Sequence, residues 1–595
     1  MMRGWLLIGA LAALPAPALA APADAAARDT RVPRAGADRA AVIPAQLDDA
    51  QRAGYRAVFA AIRDKRWSDA QLGLDAMKPG PLHAIARAEL YTAAGSPRIE
   101  LQPLLTLLRE APELPEAAQV SRLARLRGAT DADLPPLPEV HDLRWIAGAP
   151  SRRRAKGISD AVSDALAQQM RPFIKADDGA GAEALLGQTD GLTPEAATEW
   201  RQRVAWMYYL AGRDTDARRV AATAAGDPGE WGVQAHWVAA LAAWRQRDCT
   251  AAGASFEAVA TRAGDSDMRA AGAYWASRAD MACGRPDKVQ GHLQTAAQYD
   301  ETFYGQLARQ ALGIDAPMFR AANVSADWQR IEHRPNAQVA AALVEIGETR
   351  LADQVIRHQA EIGDAADYAA LVHVTAAMNL PGTQLWLAHN APAGATAVAS
   401  ARFPAPDWVP DGGWRVDKAL VYAHTLQESR FRTDVVSPAG AYGLMQIMPA
   451  AAIDIGRAHG RVIDRADLTR PSTNIEVGQS YLEQLRDQAC TGGLLPKVIA
   501  AYNAGPVPVA AWNAGTRDNG DPLLYIESIP YWETRGYVTT VLRNYWIYEG
   551  ETGKKGSPSR AALAQGMWPR FPGMPGAPAI RMGDTPRPTM TASAD

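Results

Sequence analysis

The stretch Leu426-Gln427-Glu428-Ser429-Arg430-Phe431, followed by Ser437-Pro438-Ala439-Gly440-Ala441-Tyr442-Gly443-Leu444-Met445-Gln446-Ile447-Met448-Pro449, decides the reading of this chain. Residues 414–431 read as a helix whose apolar positions include Ala419, Val421, Tyr422 and Leu426. Glu428 falls near its C-terminal end. Ser437-Pro438-Ala439-Gly440 has the composition of a tight turn, and a short apolar segment rich in Gly and Met follows. One carboxylate is thus set among apolar residues. Such an environment raises a carboxyl pKa, which a general acid for glycosidic bond cleavage needs.

Further motifs lie downstream. Asn474-Ile475 with Gly478, Tyr481 and Leu482 reads as an intermediate helix. Ala500-Ala501-Tyr502-Asn503-Ala504-Gly505-Pro506 comes next, and then Glu527-Ser528-Ile529-Pro530-Tyr531-Trp532-Glu533-Thr534-Arg535-Gly536-Tyr537-Val538. Upstream, Pro404, Pro406 and Pro410 with Gly412 and Gly413 break helical periodicity and mark a boundary. In this order, over about residues 411–550, the motifs resemble the catalytic domain of the soluble lytic transglycosylases, lysozyme-like enzymes that cut bacterial peptidoglycan.

The resemblance implies a specific chemistry. Glycosidases generally pair an acid with a second carboxylate. The nearest acidic residue to Glu428 in sequence, Asp434, sits in the polar run Arg432-Thr433-Asp434 and reads as a solvated loop residue. Lytic transglycosylases need no second carboxylate, because the 6-hydroxyl of N-acetylmuramic acid attacks its own anomeric carbon. A 1,6-anhydro end results, and holding the nucleophile within the substrate supplies a high effective molarity. Carried over residue by residue, Glu428 is the acid and base. Ser437, Gln446 and Met448 match positions that contact the sugar chain. Tyr502 matches the tyrosine whose hydroxyl sits by the acid, and Glu533 an acidic residue across the cleft. Met445 and Met448 are candidate apolar walls. Asn503 and Arg535 read equally well as structural.

Residues 40–320 are Ala-rich, helical in pattern and poor in strand signals. A weak repeat runs through them: Arg213-Asp214-Thr215-Asp216-Ala217, Arg247-Asp248-Cys249-Thr250-Ala251 and Arg285-Pro286-Asp287-Lys288-Val289 recur at intervals of 34 and 38, with Arg66-Trp67-Ser68-Asp69-Ala70 as a distant fourth. Helix pairs of this period resemble tetratricopeptide units and bury their apolar faces by stacking. Trp200, Trp206, Trp231, Trp237, Trp244 and Trp275 read as filler between helices, with an aromatic binding groove as the sharper alternative. Phe303-Tyr304-Gly305-Gln306-Leu307-Ala308 resembles the last helix of the superhelical domain in the same transglycosylases.

The expected organisation is all-α: an α-superhelical repeat domain, a helical linker and a lysozyme-like catalytic domain. Its boundaries are a signal peptide at 1–20, a flexible segment at 21–37, the superhelical domain at 38–324, the linker at 325–405, the catalytic domain at 406–552 and a disordered tail at 553–595. The catalytic segment is expected to fold on its own from near Pro404.

Arg3, the apolar run 4–14 and the small-x-small signature Ala18-Leu19-Ala20 give the signal-peptide reading, and with it export to the periplasm. The apolar run is too short to span a bilayer. The formal net charge of -3 gives no reason to expect a nucleic-acid partner. The expected partner is the peptidoglycan glycan strand, with cell-wall synthesis or remodelling proteins as further candidates. Cys249, Cys283 and Cys490 allow at most one intrachain disulfide; a Cys249–Cys283 bridge and two separate buried thiols both stay open. No Cys/His cluster has zinc spacing, and His424 with Glu428 lacks the second histidine of H-E-x-x-H, so neither metal nor cofactor is expected. Two other functions compete: a goose-type muramidase that hydrolyses the same bond, and a peptide- or protein-binding scaffold whose helical repeats do the work.

Overall fold

A computed structural model describes residues 43–314, 322–551 and 556–575; the expected signal peptide and N-terminal segment lie outside them. The chain is all-α. Among the described residues the one strand pair joins Arg144–Trp145 antiparallel to Asn390–Ala391.

The repeat is real, and its turns explain it. In each unit the second helix opens directly after a residue in the left-handed region: Gly212 before the cap Arg213, Arg247 before the cap Asp248, and Gly284 before the cap Arg285. Lys65 before Arg66 repeats the device in the distant fourth unit. Glycine adopts this conformation freely, whereas Arg247 and Lys65 bear a steric cost. The structurally equivalent caps are therefore Arg213, Asp248 and Arg285, spaced 35 and 37 residues apart. The expected match of Arg247 to Arg213 is off by one position. A disulfide joins Cys249 to Cys283, fastening the start of helix Cys249–Arg262 to the end of helix Ser266–Ala282. Cys490 is free.

Apolar side chains gather in two cores, and neither follows the expected boundaries. One joins helices of residues 49–126 to those of residues 324–389. Arg52 and Arg63 reach Glu345 and Glu348 across it, and Asn336 donates to the Glu113 carbonyl at 2.8 Å. The segment expected to be a linker thus completes the fold of the N-terminal helices. Helical periodicity shows that a face is apolar but not which distant face will cover it.

The second core joins helices of residues 161–311 to those of residues 418–564. Phe303, first residue of helix Phe303–Ala311, stacks on Trp546 at 5.1 Å between ring centroids. Arg152 grips Glu527 with two hydrogen bonds of 2.7 and 3.1 Å, Tyr304 adds a third at 2.7 Å, and Trp275 donates to Tyr304 in turn. Arg278 pairs with Asp521 at 2.7 Å. Burial alone would raise the Glu527 carboxyl, but Arg152 beside it more than offsets this and holds it below the usual range. Trp237 and Trp275 are fully buried, and Arg535 lies over the Trp206 ring, so these tryptophans pack the core and its junction with the last third of the chain. The segment expected to be self-contained thus shares its core with helices of residues 161–311.

The expected disordered tail is also corrected. Residues 556–575 pack on the body through helix Pro558–Ala564, with Leu563 and Phe571 buried. Trp546 donates to Ser559, Trp568 to the Gly520 carbonyl, and Phe571 N–H to the Gly493 carbonyl. Few apolar residues among many Pro and Gly leave no period to read, yet Leu563 and Phe571 each find a slot. Residues 576–595 lie outside the described residues.

Candidate active site

Glu428 is the last residue of helix Lys418–Glu428, which opens on the cap Asp417. Earlier in the helix, Leu420 to Thr425 are wholly buried and fill the core. Arg430 and Phe431 then turn the chain sharply in the left-handed region, and Phe431 packs edge-on against Tyr422. Glu428 is thereby held at the rim of the core, partly buried. The negative end of a helix dipole disfavours a carboxylate there. Burial pushes its carboxyl up to about 7, a hydrogen bond from Tyr537 lowers it, and the charge of Glu533 raises it.

Tyr537 stands on helix Trp532–Glu551 and is buried. Its hydroxyl donates to Glu428 Oε1 at 2.5 Å. Sequence reasoning gave this place to Tyr502, but the Tyr502 hydroxyl donates to the Met445 carbonyl at 2.8 Å. Tyr502 is still close: burial first, then the Glu428 charge, raises its phenol well above the ordinary value. Tyr537 lies in the quoted motif, four residues after Glu533. Helical spacing puts both on one face, a signal that could have found it.

The loop after Glu428 is built around Asn474, which is fully buried. Its carbonyl accepts from Met445 N–H at 2.9 Å, and its amide donates to the Tyr442 and Leu468 carbonyls at 3.0 and 2.8 Å. Gly443 must be glycine here: its φ is +70°, and a Cβ would sit 2.3 Å from the Leu468 carbonyl. Met445 is buried beneath this loop against Gly478, whereas Met448 is 41% exposed. Of the two expected walls, only Met448 faces outward.

The other expected residues fall as follows. Ser437 Oγ accepts from Ala441 N–H at 3.0 Å, closing its own turn. Gln446 spends its amide on the Gly443 carbonyl at 2.8 Å. Glu533 is exposed and lines a cleft with Gln427 and Tyr537. Across the cleft stand Ser151, Arg152 and Asp267 from the superhelical part. Asn503 accepts from Thr534 at 2.6 Å, tying helix Leu495–Ala504 to the Tyr537 helix. His424, one turn before Glu428, is wholly buried. It bonds the Leu420 carbonyl through Nδ1, and burial pushes its ring down to about 4, so it is neutral.

Residues 411–524 match the family described as the transglycosylase SLT domain. A soluble lytic murein transglycosylase of Salmonella typhimurium is 36% identical over 160 residues, 27% of this chain and 24% of that protein. One from Escherichia coli is 37% identical over 138 residues, 22% of this chain and 20% of its own length. These matches span less than a quarter of the relatives' lengths. The 70 kDa soluble lytic transglycosylase of Escherichia coli superimposes over 88% of this chain and 99% of its own, with a TM-score of 0.50 and 18% identity. That likeness speaks for the fold: a helical superhelix carrying a lysozyme-like domain.

Proposed function

We propose, for a chain whose residues 411–524 are a transglycosylase SLT domain, that it is a peptidoglycan lytic transglycosylase with Glu428 as its general acid and base. The observation that carries this reading is a partly buried carboxyl raised to about 7 and bonded by Tyr537, which lines a cleft beside it. A carboxyl titrating near neutrality can both give and take a proton.

Glu428 gives its proton to the glycosidic oxygen between N-acetylmuramic acid and N-acetylglucosamine, and the C1–O bond breaks. The carboxylate then takes the proton of the 6-hydroxyl as that oxygen bonds to C1. Glu428 ends protonated, no water is consumed, and the product is a 1,6-anhydro end. Met448 and Glu533, both at the surface, are the residues we assign to the glycan strand. Ser437 retains a hydroxyl proton to donate to it. Gln446 and Tyr502 act through the loop they brace. The signal-peptide reading supports the periplasm as the site of action. Among the described residues no helix is long and apolar enough to cross a membrane.

Glu533 keeps the hydrolytic reading in view, since a second carboxylate in the cleft acts on Glu428. Mass analysis of digested sacculi separates the two, because an anhydro end is lighter than a hydrolytic end by one water.

A further inference from the structure

We propose that the superhelical part carries a binding site for a divalent transition metal of the zinc class, made by Glu257, Asp280 and His292. The three residues stand on successive helices, Cys249–Arg262, Ser266–Ala282 and Pro286–Ala297. Their wide separation in sequence explains why no zinc spacing is visible there.

The geometry points to a shared ion. His292 Nε2 lies 3.2 Å from Glu257 Oε1 and 3.2 Å from Asp280 Oδ2. Zinc bonds of ~2.0–2.2 Å at tetrahedral angles put ligand atoms about 3.4 Å apart, so both distances suit an ion between the three groups. All three ligand atoms fall within 4.8 Å of one another.

Hydrogen bonding leaves a gap that an ion would fill. Asp280 is 1% exposed, and its Oδ2 has no hydrogen-bond partner. Its ion-pair neighbour is His292 Nε2 at 3.2 Å, outside hydrogen-bond geometry, and a buried carboxylate oxygen left without a hydrogen bond is costly. Its other oxygen, Oδ1, accepts from Arg285 Nε at 2.8 Å, which fixes the carboxylate plane as outer partners do in metal sites. His292 and Glu257 are partly exposed, so an ion has an entry path and a fourth position open to solvent. The neighbouring disulfide already ties the first two helices. The metal would tie the third to them.

The test uses the full chain, stripped with chelator and titrated with Zn²⁺ alone by calorimetry. Bound metal per chain is counted, and Co²⁺ serves as a spectroscopic probe. We expect one equivalent, tetrahedral Co²⁺ absorption and a higher Tm with metal. His292→Ala and Glu257→Gln should each weaken binding at least ~10-fold. Glu257 is partly exposed, so Glu257→Gln should leave the metal-free Tm unchanged, separating lost ligation from misfolding. No stoichiometric binding, or binding that survives both substitutions, overturns the site.

Discussion

The Tyr537 hydroxyl donates to Glu428 Oε1 at 2.5 Å, joining a side chain of helix Trp532–Glu551 to the last residue of helix Lys418–Glu428. The bond favours the carboxylate, while burial favours the acid. Between them they set its carboxyl at about 7, which suits the general acid and base role proposed for it.

Tyr537→Phe removes that bond and keeps the ring. The Glu428 pKa should rise, moving the alkaline limb of the pH–rate profile to higher pH, and kcat should fall. Tyr502→Phe instead frees the Met445 carbonyl. It should cost ~0.5–1.5 kcal/mol of stability and leave that limb in place. Paired pH profiles and melting curves check both; a limb unmoved by Tyr537→Phe would make its hydroxyl a packing feature.

Glu428 is raised in the folded state above its ordinary value of 4.5, to about 7. Its contribution to stability is therefore full below the unfolded pKa and is lost as pH rises through the folded one. Glu428→Gln should raise Tm relative to the native chain above pH ~7, with the gain shrinking as pH falls toward the unfolded value. Activity should decline over the same upper range as the acid deprotonates. Melting temperature against pH for both proteins is the measurement.

Arg152→Ala strands Glu527 in the shared core. Breaking a buried pair costs roughly 3–5 kcal/mol, read by denaturant titration. Glu527 is held below its ordinary value, so its share of stability is present above the unfolded pKa and is lost as pH falls. A fragment of residues 404–575 lacks Arg152 and Phe303 and should bind hydrophobic dye; a monomeric, dye-silent fragment would contradict the shared core.

The Cys249–Cys283 bridge closes a stretch with a sequence separation of 34. Replacing both cysteines by serine should lower stability by ~3–4 kcal/mol on loop entropy and leave kcat unchanged below the melting range.

Much of this was legible in the sequence because its signals are local. Helical period and the Pro/Gly break before Trp414 gave the all-α class, and the dense motifs around Glu428 singled it out as the proposed acid. The near-34 repeat showed the stacked pairs, although Arg247 misled the register because an arginine holds a turn position that Gly212 and Gly284 hold elsewhere. What stayed hidden depends on distant partners. Nothing local says that Pro335–Ile346 packs on Asp49–Arg63, or that Phe571 has a slot near Gly493. Tyr502 and Tyr537 are both apolar-ringed donors in helices; only packing decides which hydroxyl reaches the carboxylate and which braces Met445.

The central claim is tested most directly by mass analysis of the products from purified sacculi, with Glu428→Gln run beside the native chain. The native protein should give 1,6-anhydro ends. A folded Glu428→Gln variant should be slower by ~10²–10⁴-fold. Hydrolytic ends, heavier by one water, or near-native turnover by the variant, would contradict the claim.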